Sequence, residues 1–274
     1  MALLGVTGSG KSSLAREIIN QIKCDTKVIC IDFNKEFISE LTPPPKNIIS
    51  DDQARKIAEN IDWINNELEK FWNLQKKDDI ATKQAEIKTI MQNEIEAFLN
   101  DSNCNITVFE LPDVTNTTGI LDYTKYFFKV LFEVAKERKI ANSSKKMCIV
   151  LEEAHTIIPE WNFTGSNDKT SQALVNSIGQ IALQGRKYDI GFLIIAQRTA
   201  NVSKTVLTQC NTVICFQAFD ETSFTFLSNY IGNDMAKALP NLKPYHAVVT
   251  GKAIKSNMPM IVDFTSEKMI SAIP

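Results

Sequence analysis

The 274-residue chain is poor in several things that would point to other functions. It has two histidines, and its six cysteines (Cys24, Cys30, Cys104, Cys148, Cys210, Cys215) form no CxxC pair and have no histidine near them at metal spacing. Most lie in apolar, strand-like runs, so they read as reduced core residues rather than disulfides or ligands. No apolar run reaches the roughly 18 residues of a spanning helix, and the N-terminus carries no signal-peptide pattern, so the expectation is a cytoplasmic protein with no membrane partner. Internal repeats and low-complexity tracts are also lacking. The net charge of −2 excludes a surface coated in basic residues for wrapping nucleic acid, though a few contacts gathered inside a channel would escape that test. Finally, only Met1 to Leu4 precede the first glycine-rich loop, whereas a buried parallel strand runs about five or six residues. The start therefore reads as clipped, as in a fragment or a misassigned first residue.

The length suits one large domain or a domain with an insertion. Its most specific feature is Gly5-Val6-Thr7-Gly8-Ser9-Gly10-Lys11-Ser12, which fits GxxxxGK[ST]. Glycines at Gly5, Gly8 and Gly10, with Thr7 and Ser9 between them, let backbone N–H groups wrap a polyphosphate. The helix that follows, entered through Ser12 and Ser13, offers its positive end to the same anion. Lys11 would bridge the outer phosphates and Ser12 would present a hydroxyl to Mg²⁺, so ATP with Mg²⁺ is the implied ligand. Leu14, Ile18, Ile19 and Ile22 recur at helical spacing, which places the required helix directly after the loop.

Short β-rich runs at Lys27–Ile31, Asn105–Glu110, Met147–Leu151, Ile190–Ala196 and Thr212–Phe216 alternate with helical stretches. That alternation predicts an α/β fold with a mainly parallel central sheet flanked by helices. Between the second strand and Asn105, Ile57, Ile61, Ile64, Leu68 and Phe71 share one helical face, and Ile87, Met91, Ile95 and Phe98 repeat the pattern. The charged stretch Lys76-Lys77-Asp78-Asp79 separates them. Residues 51–102 thus read as a helical pair inserted into the core and projecting from it, its apolar faces packed internally, with Pro43-Pro44-Pro45 as a stiff connector. Near the end, a helical stretch Glu221–Leu239 leads to Pro240, and Ala247–Val249 with Met260–Asp263 form a closing pair of strands.

Met147–Leu151 ends in Glu152-Glu153, the arrangement of a Walker B element. Glu152 would hold Mg²⁺ through its water shell, and Glu153 would orient or deprotonate the water that attacks the γ-phosphate. His155 follows, with packing and direct chemistry both open; His246 reads as structural. Gln197, at the carboxyl end of another apolar run, stands either to hold the attacking water or sense the γ-phosphate, or to serve as a plain turn residue. Arg186, in Gly185-Arg186-Lys187-Tyr188, is either an active-site arginine or a cation favoured at a helix C-terminus.

The runs EEAHTIIP and GRKYDIGFLIIAQRTANVSKTVLTQCNTVICF resemble the HerA branch of the HerA/FtsK superfamily of ring-forming, ATP-driven DNA translocases. The resemblance extends from GVTGSGKS to ALPNLKPYHAVVTG and is weak between Asp51 and Ser102. It implies a RecA-like P-loop core of the ASCE type, assembled as a hexamer around double-stranded DNA with ATP between subunits. Lys11, Ser12, Glu152, Glu153 and Gln197 match the family's nucleotide site, and Arg186 would be the arginine finger presented to a neighbouring subunit. Asp32 falls where the family has an acid, although Phe33, Asn34 and Lys35 replace its usual neighbours. Asp189 stands where glycine is common and Thr199 where proline is common. The family's N-terminal β-barrel is absent from this chain. Relatives work with a nuclease in DNA end processing, or with nuclease or NAD-consuming effectors in anti-phage defence. A platform whose nucleotide state regulates a bound effector is the alternative expectation.

Overall fold

The computed structural model of the protein describes residues 1–31, 41, 44–69, 76–110, 117–160, 176, 178–179, 181 and 183–265. Asp32, Pro43 and Phe71, singled out above, lie outside the described residues.

Eight strands form one sheet in the order β3-β2-β4-β5-β1-β6-β7-β8. They are β1 (Ala2–Leu4), β2 (Lys27–Ile31), β3 (Ile106–Phe109), β4 (Met147–Leu151), β5 (Ile190–Ala196), β6 (Thr212–Cys215), β7 (His246–Gly251) and β8 (Met260–Asp263). β1 to β6 pair in parallel, and β7 and β8 close the sheet antiparallel. All five expected strands are present, with β3 at an edge of the sheet, as is the closing pair. β1 lies in the middle: Leu4 pairs with Ala196 on one side and Cys215 on the other.

Alternation along the strands divides the interior in two. Leu3, Val28, Cys30, Val150, Leu193 and Ile195 face one side, where α1 (Lys11–Ile22) packs Leu14, Ala15 and Ile19 against them. Ala2, Leu4, Ile29, Ile31, Phe109, Ile149 and Leu151 face the other. That second side is covered by α2 (Asp51–Glu69), α3 (Lys77–Asn100) and α4 (Thr117–Ile140), whose buried apolar residues join the same cluster. The Phe109 and Phe127 rings stack at 3.9 Å between centroids, seating α4 on β3. Burial on both faces of β2 explains the unbroken apolar run VICI that follows Lys27, as parallel strands require.

Three expectations change. The pair α2–α3 does not project from the core: Ile57, Ile61, Ile64, Ile87, Met91, Ile95 and Phe98 are all buried in the main cluster, although Leu68, near the end of α2, is exposed. Charged pairs fasten α3 along α4, with Arg138 Nε donating to Glu96 Oε2 at 3.0 Å and Lys88 meeting Glu133 at 2.8 Å. Lys77-Asp78-Asp79 is the first turn of α3 rather than a separator, because acids there complement the positive helix end. The stretch from Glu221 is broken at Gly232 (φ 79°) into α7 (Glu221–Ile231) and α8 (Asn233–Ala238), after the short α5 (Ala154–Ile157) and α6 (Lys204–Leu207) earlier in the chain. The cysteines are free, and Cys30 and Cys215 are buried, but Cys24 is exposed in the turn after α1. Among the described residues no helix is long and apolar enough to cross a membrane.

Candidate nucleotide-binding site

Parallel strands deliver their following residues to one edge of the sheet, and here that edge gathers Gly5 after β1, Glu152 after β4 and Gln197 after β5. Gly5 has a φ of 146°, and a Cβ on it would lie 2.7 Å from Phe216 Cβ and 2.9 Å from Gln217 O, so the loop leaves the sheet through a gap only glycine fits. The loop then turns back to Gly10, the residue capping α1, with a φ of 112° and no side chain to occupy the helix end. The first N–H groups of α1 are thereby left to a ligand, beside the positive end of the helix. Ser9 is buried, its hydroxyl donating to Val6 O at 2.7 Å.

Lys11 is only 5% exposed, and its Nζ donates to Val6 O at 2.7 Å. Burial pulls its pKa down, while the charges of Glu153 and then Glu152 push it back up. The amine and the two acids thus sense one another across the loop. Glu152 follows β4 directly, and its N–H donates to Ile31 O at 3.2 Å. Glu153 adopts left-handed backbone (φ 45°, ψ 50°) as it caps α5, an expensive conformation for a residue of this shape. Its side chain is 12% exposed, with Oε2 3.1 Å from His155 Nδ1. The two atoms are buried and close without the alignment of a hydrogen bond. Thr7 Oγ1 donates to Gln197 Oε1 at 2.5 Å, which ties β5 to the loop.

Lys11, Ser12, Glu152, Glu153, His155 and Gln197 therefore lie around one site. Arg186 does not join them: it is exposed in the 3-10 turn Gly185–Tyr188 that precedes β5, at the opposite edge of the sheet. His246 opens β7, with Nδ1 3.1 Å from Pro244 O and 3.8 Å from Asp263 Oδ1. Among the described residues no group of three or more His, Cys, Asp or Glu could cage a metal. A magnesium ion held by phosphates needs no such cage, and one hydroxyl (Ser12) with one carboxylate (Glu152) beside a buried cation is a donor set of the right kind. Sequence reasoning misses Tyr245 as part of this site. Its N–H donates to Ser9 O at 2.9 Å, and the signal for it is a backbone angle that no sequence motif announces.

Fold and site together define a RecA-like P-loop ATPase of the ASCE type. Similarity to known proteins narrows the class. A family model described as the central domain of helicase HerA matches residues 1–209, and the chain belongs to that family. It is 27% identical over 183 residues to a probable DNA double-strand break repair helicase HerA of Methanocaldococcus jannaschii, a match covering 58% of this chain and 34% of that protein. To the HerA double-strand break repair helicase of Sulfolobus acidocaldarius it is 23% identical over 257 residues, covering 92% of this chain and 47% of the relative. The chain thus spans less than half of either protein. Among solved structures, the genome packaging NTPase B204 of Sulfolobus turreted icosahedral virus 2, in complex with ATP-gammaS, superposes with a TM-score of 0.57 at 15% identity, covering 95% of this chain and 94% of that one. VirB4 of Thermoanaerobacter pseudethanolicus reaches 0.59 at 11% identity, covering 99% and 90%.

Proposed function

We propose that the chain hydrolyses Mg²⁺·ATP in the cytoplasm as one subunit of a hexameric ring, and that turnover drives the ring along double-stranded DNA threaded through it. In this reading the motor works with a nuclease or an NAD-consuming effector, in DNA end processing or anti-phage defence, and residues 51–102 are a helical insertion in its core. The observation that carries the reading is the division of the site between the two edges of the sheet. Lys11, Glu153 and Gln197 gather at one edge while Arg186 stands exposed at the other, an arrangement suited to completing a neighbour's site rather than its own.

In the reaction, the loop N–H groups and Lys11 hold the phosphates, and Gln197 orients a water. Glu153 accepts the proton of that water as its oxygen bonds the γ-phosphorus and the bond to the β–γ bridging oxygen breaks, giving ADP and phosphate. Arg186 from the adjacent subunit neutralises charge that develops in the transition state. Ser12 and Glu152 would hold Mg²⁺, which supplies further charge neutralisation at the phosphates.

The test is steady-state ATPase activity with and without linear duplex DNA, alongside measurement of assembly mass. Stimulation by DNA in a ring-sized assembly is expected. Turnover indifferent to DNA but switched on by a copurifying effector would replace the motor with an effector platform.

A further inference from the structure

Among the described residues Tyr245 is one of four non-glycine residues with left-handed backbone, and the bulkiest of them, with a φ of 63°. An aromatic residue in that region is an outlier that persists only when its surroundings hold it. Two backbone hydrogen bonds do so: its N–H donates to Ser9 O at 2.9 Å, and Phe264 N–H donates to its carbonyl at 2.8 Å. The first bond fastens the residue to the phosphate loop itself. The ring lies against Gly10, since a Cβ built there would sit 2.8 Å from Tyr245 Cδ1 and 3.3 Å from Cε1. Yet the residue is 42% exposed, and among the described residues its ring stacks on no other aromatic and its hydroxyl makes no hydrogen bond.

The position along the sheet gives the ring a use. Glu153 and Gln197, which address the γ-phosphate end in the reading above, follow β4 and β5 on one side of β1. β7, which begins directly after Tyr245, lies on the other side, beyond β6. A triphosphate laid through the loop with its terminal phosphate toward the acids sends its nucleoside toward Tyr245. We propose that the exposed face of the Tyr245 ring is the stacking platform for the nucleobase of the bound nucleoside triphosphate. The inference rests on the phosphate-site reading and adds to it the part of the ligand that the loop does not touch. Stacking tolerates any base in proportion to its π-surface, so the site would favour purines over pyrimidines and discriminate weakly between adenine and guanine.

Binding of Mg·ATP and of Mg·tripolyphosphate to the full chain tests this, with wild type, Tyr245→Phe, Tyr245→Gly and Tyr245→Asn compared by calorimetry. Glycine and asparagine both accept a positive φ, so the loop keeps its path in either variant. Both should bind ATP about 5- to 150-fold more weakly, the loss expected when one aromatic stack is removed. Their affinity for tripolyphosphate should be unchanged, and Tyr245→Phe should bind both ligands as wild type does. Undiminished ATP binding in Tyr245→Gly and Tyr245→Asn would overturn the inference, as would an equal loss for tripolyphosphate, which would make the tyrosine a prop of the loop. A wild-type chain that binds neither ligand would overturn the phosphate-site reading and this inference with it.

Discussion

At the edge of the sheet where the parallel strands begin, charge is committed to the fold. Lys27 Nζ, at the start of β2, donates to Asp101 O and Cys104 O beyond the end of α3, Lys139 meets Asp189 at 2.8 Å, and Lys146 meets Asp25 at 2.6 Å. At the edge where the strands end, Lys11 is buried beside two acids, and its hydrogen bond goes to the loop that would receive a ligand. Backbone strain follows the same division. Asn142 and Asp189, with φ of 54° and 59°, serve the first edge, and both are residue types that tolerate left-handed backbone. Glu153 and Tyr245, with φ of 45° and 63°, serve the second, and neither is suited to it. One edge is assembled for stability; the other holds side chains where the proposed nucleotide would need them.

The strongest test of that contrast is Lys11→Ala, for which we expect loss of ATP binding by calorimetry with the fold retained. A variant that kept its affinity would move the phosphate site elsewhere. Next comes Arg186→Ala, expected to fold and bind ATP but to turn over roughly 10³–10⁵-fold more slowly, about 4–7 kcal/mol in the barrier. Mixed with Lys11→Ala subunits it should regain activity wherever an intact loop meets an intact Arg186. A co-assembled mixture as inactive as either parent would mean that the arginine acts only as a helix-end cation in its own subunit. Glu153→Gln should keep ATP bound and lose about 10²–10⁴ in rate, and wild-type turnover would remove the general-base role.

The first edge is tested through stability. Lys27→Ala should cost about 1.5–3 kcal/mol in chemical denaturation, because two carbonyls lose a charged donor, and should leave ATP affinity unaltered. Loss of affinity in step with stability would erase the distinction between the edges. The smallest effect belongs to Asp189→Asn, which keeps a residue that accepts a positive φ and removes the charge facing Lys139. Hydrogen bonds from Lys139 and Ser144 hold the Asp189 carboxyl below the usual range, so its folded pKa lies under its unfolded one. Its contribution is therefore complete above roughly pH 4 and disappears as the pH falls through the folded value. The pair is partly exposed, so the variant should lose only a few tenths of a kcal/mol at pH 7 and match wild type in strong acid.

Much of the sheet and of the candidate phosphate site is legible in the sequence. Strands buried on both faces announce themselves as unbroken β-branched runs, and the loop and the acids follow motifs whose spacing is set by phosphate geometry. The resemblance puts Asp189 where glycine is common, which looks arbitrary in sequence; its φ of 59° accounts for it, since aspartate is among the few non-glycine residues that accept such backbone. α4 is harder to delimit because Phe127, Phe128, Val130, Leu131, Val134 and Ala135 are buried around much of its circumference, between the sheet and the α2–α3 pair. A helix covered on two sides loses the stripe that periodicity detects. The same covering hides the placement of α2–α3: an amphipathic face shows that a helix is packed, not what it is packed on. Glu153 and Tyr245 are illegible in a different way. Their backbone angles run against the preference of the residues themselves, and at Tyr245 the hold comes from Ser9, distant in the chain.

The left-handed backbone at Glu153 has a consequence for variants selected under heat. Glycine in its place would relax the turn after β4, so a screen that scores only survival at high temperature should enrich Glu153→Gly. Such survivors would have traded turnover for endurance. Thermotolerance in this protein should thus be sought at positions away from the turn after β4, with ATP hydrolysis scored in the same round.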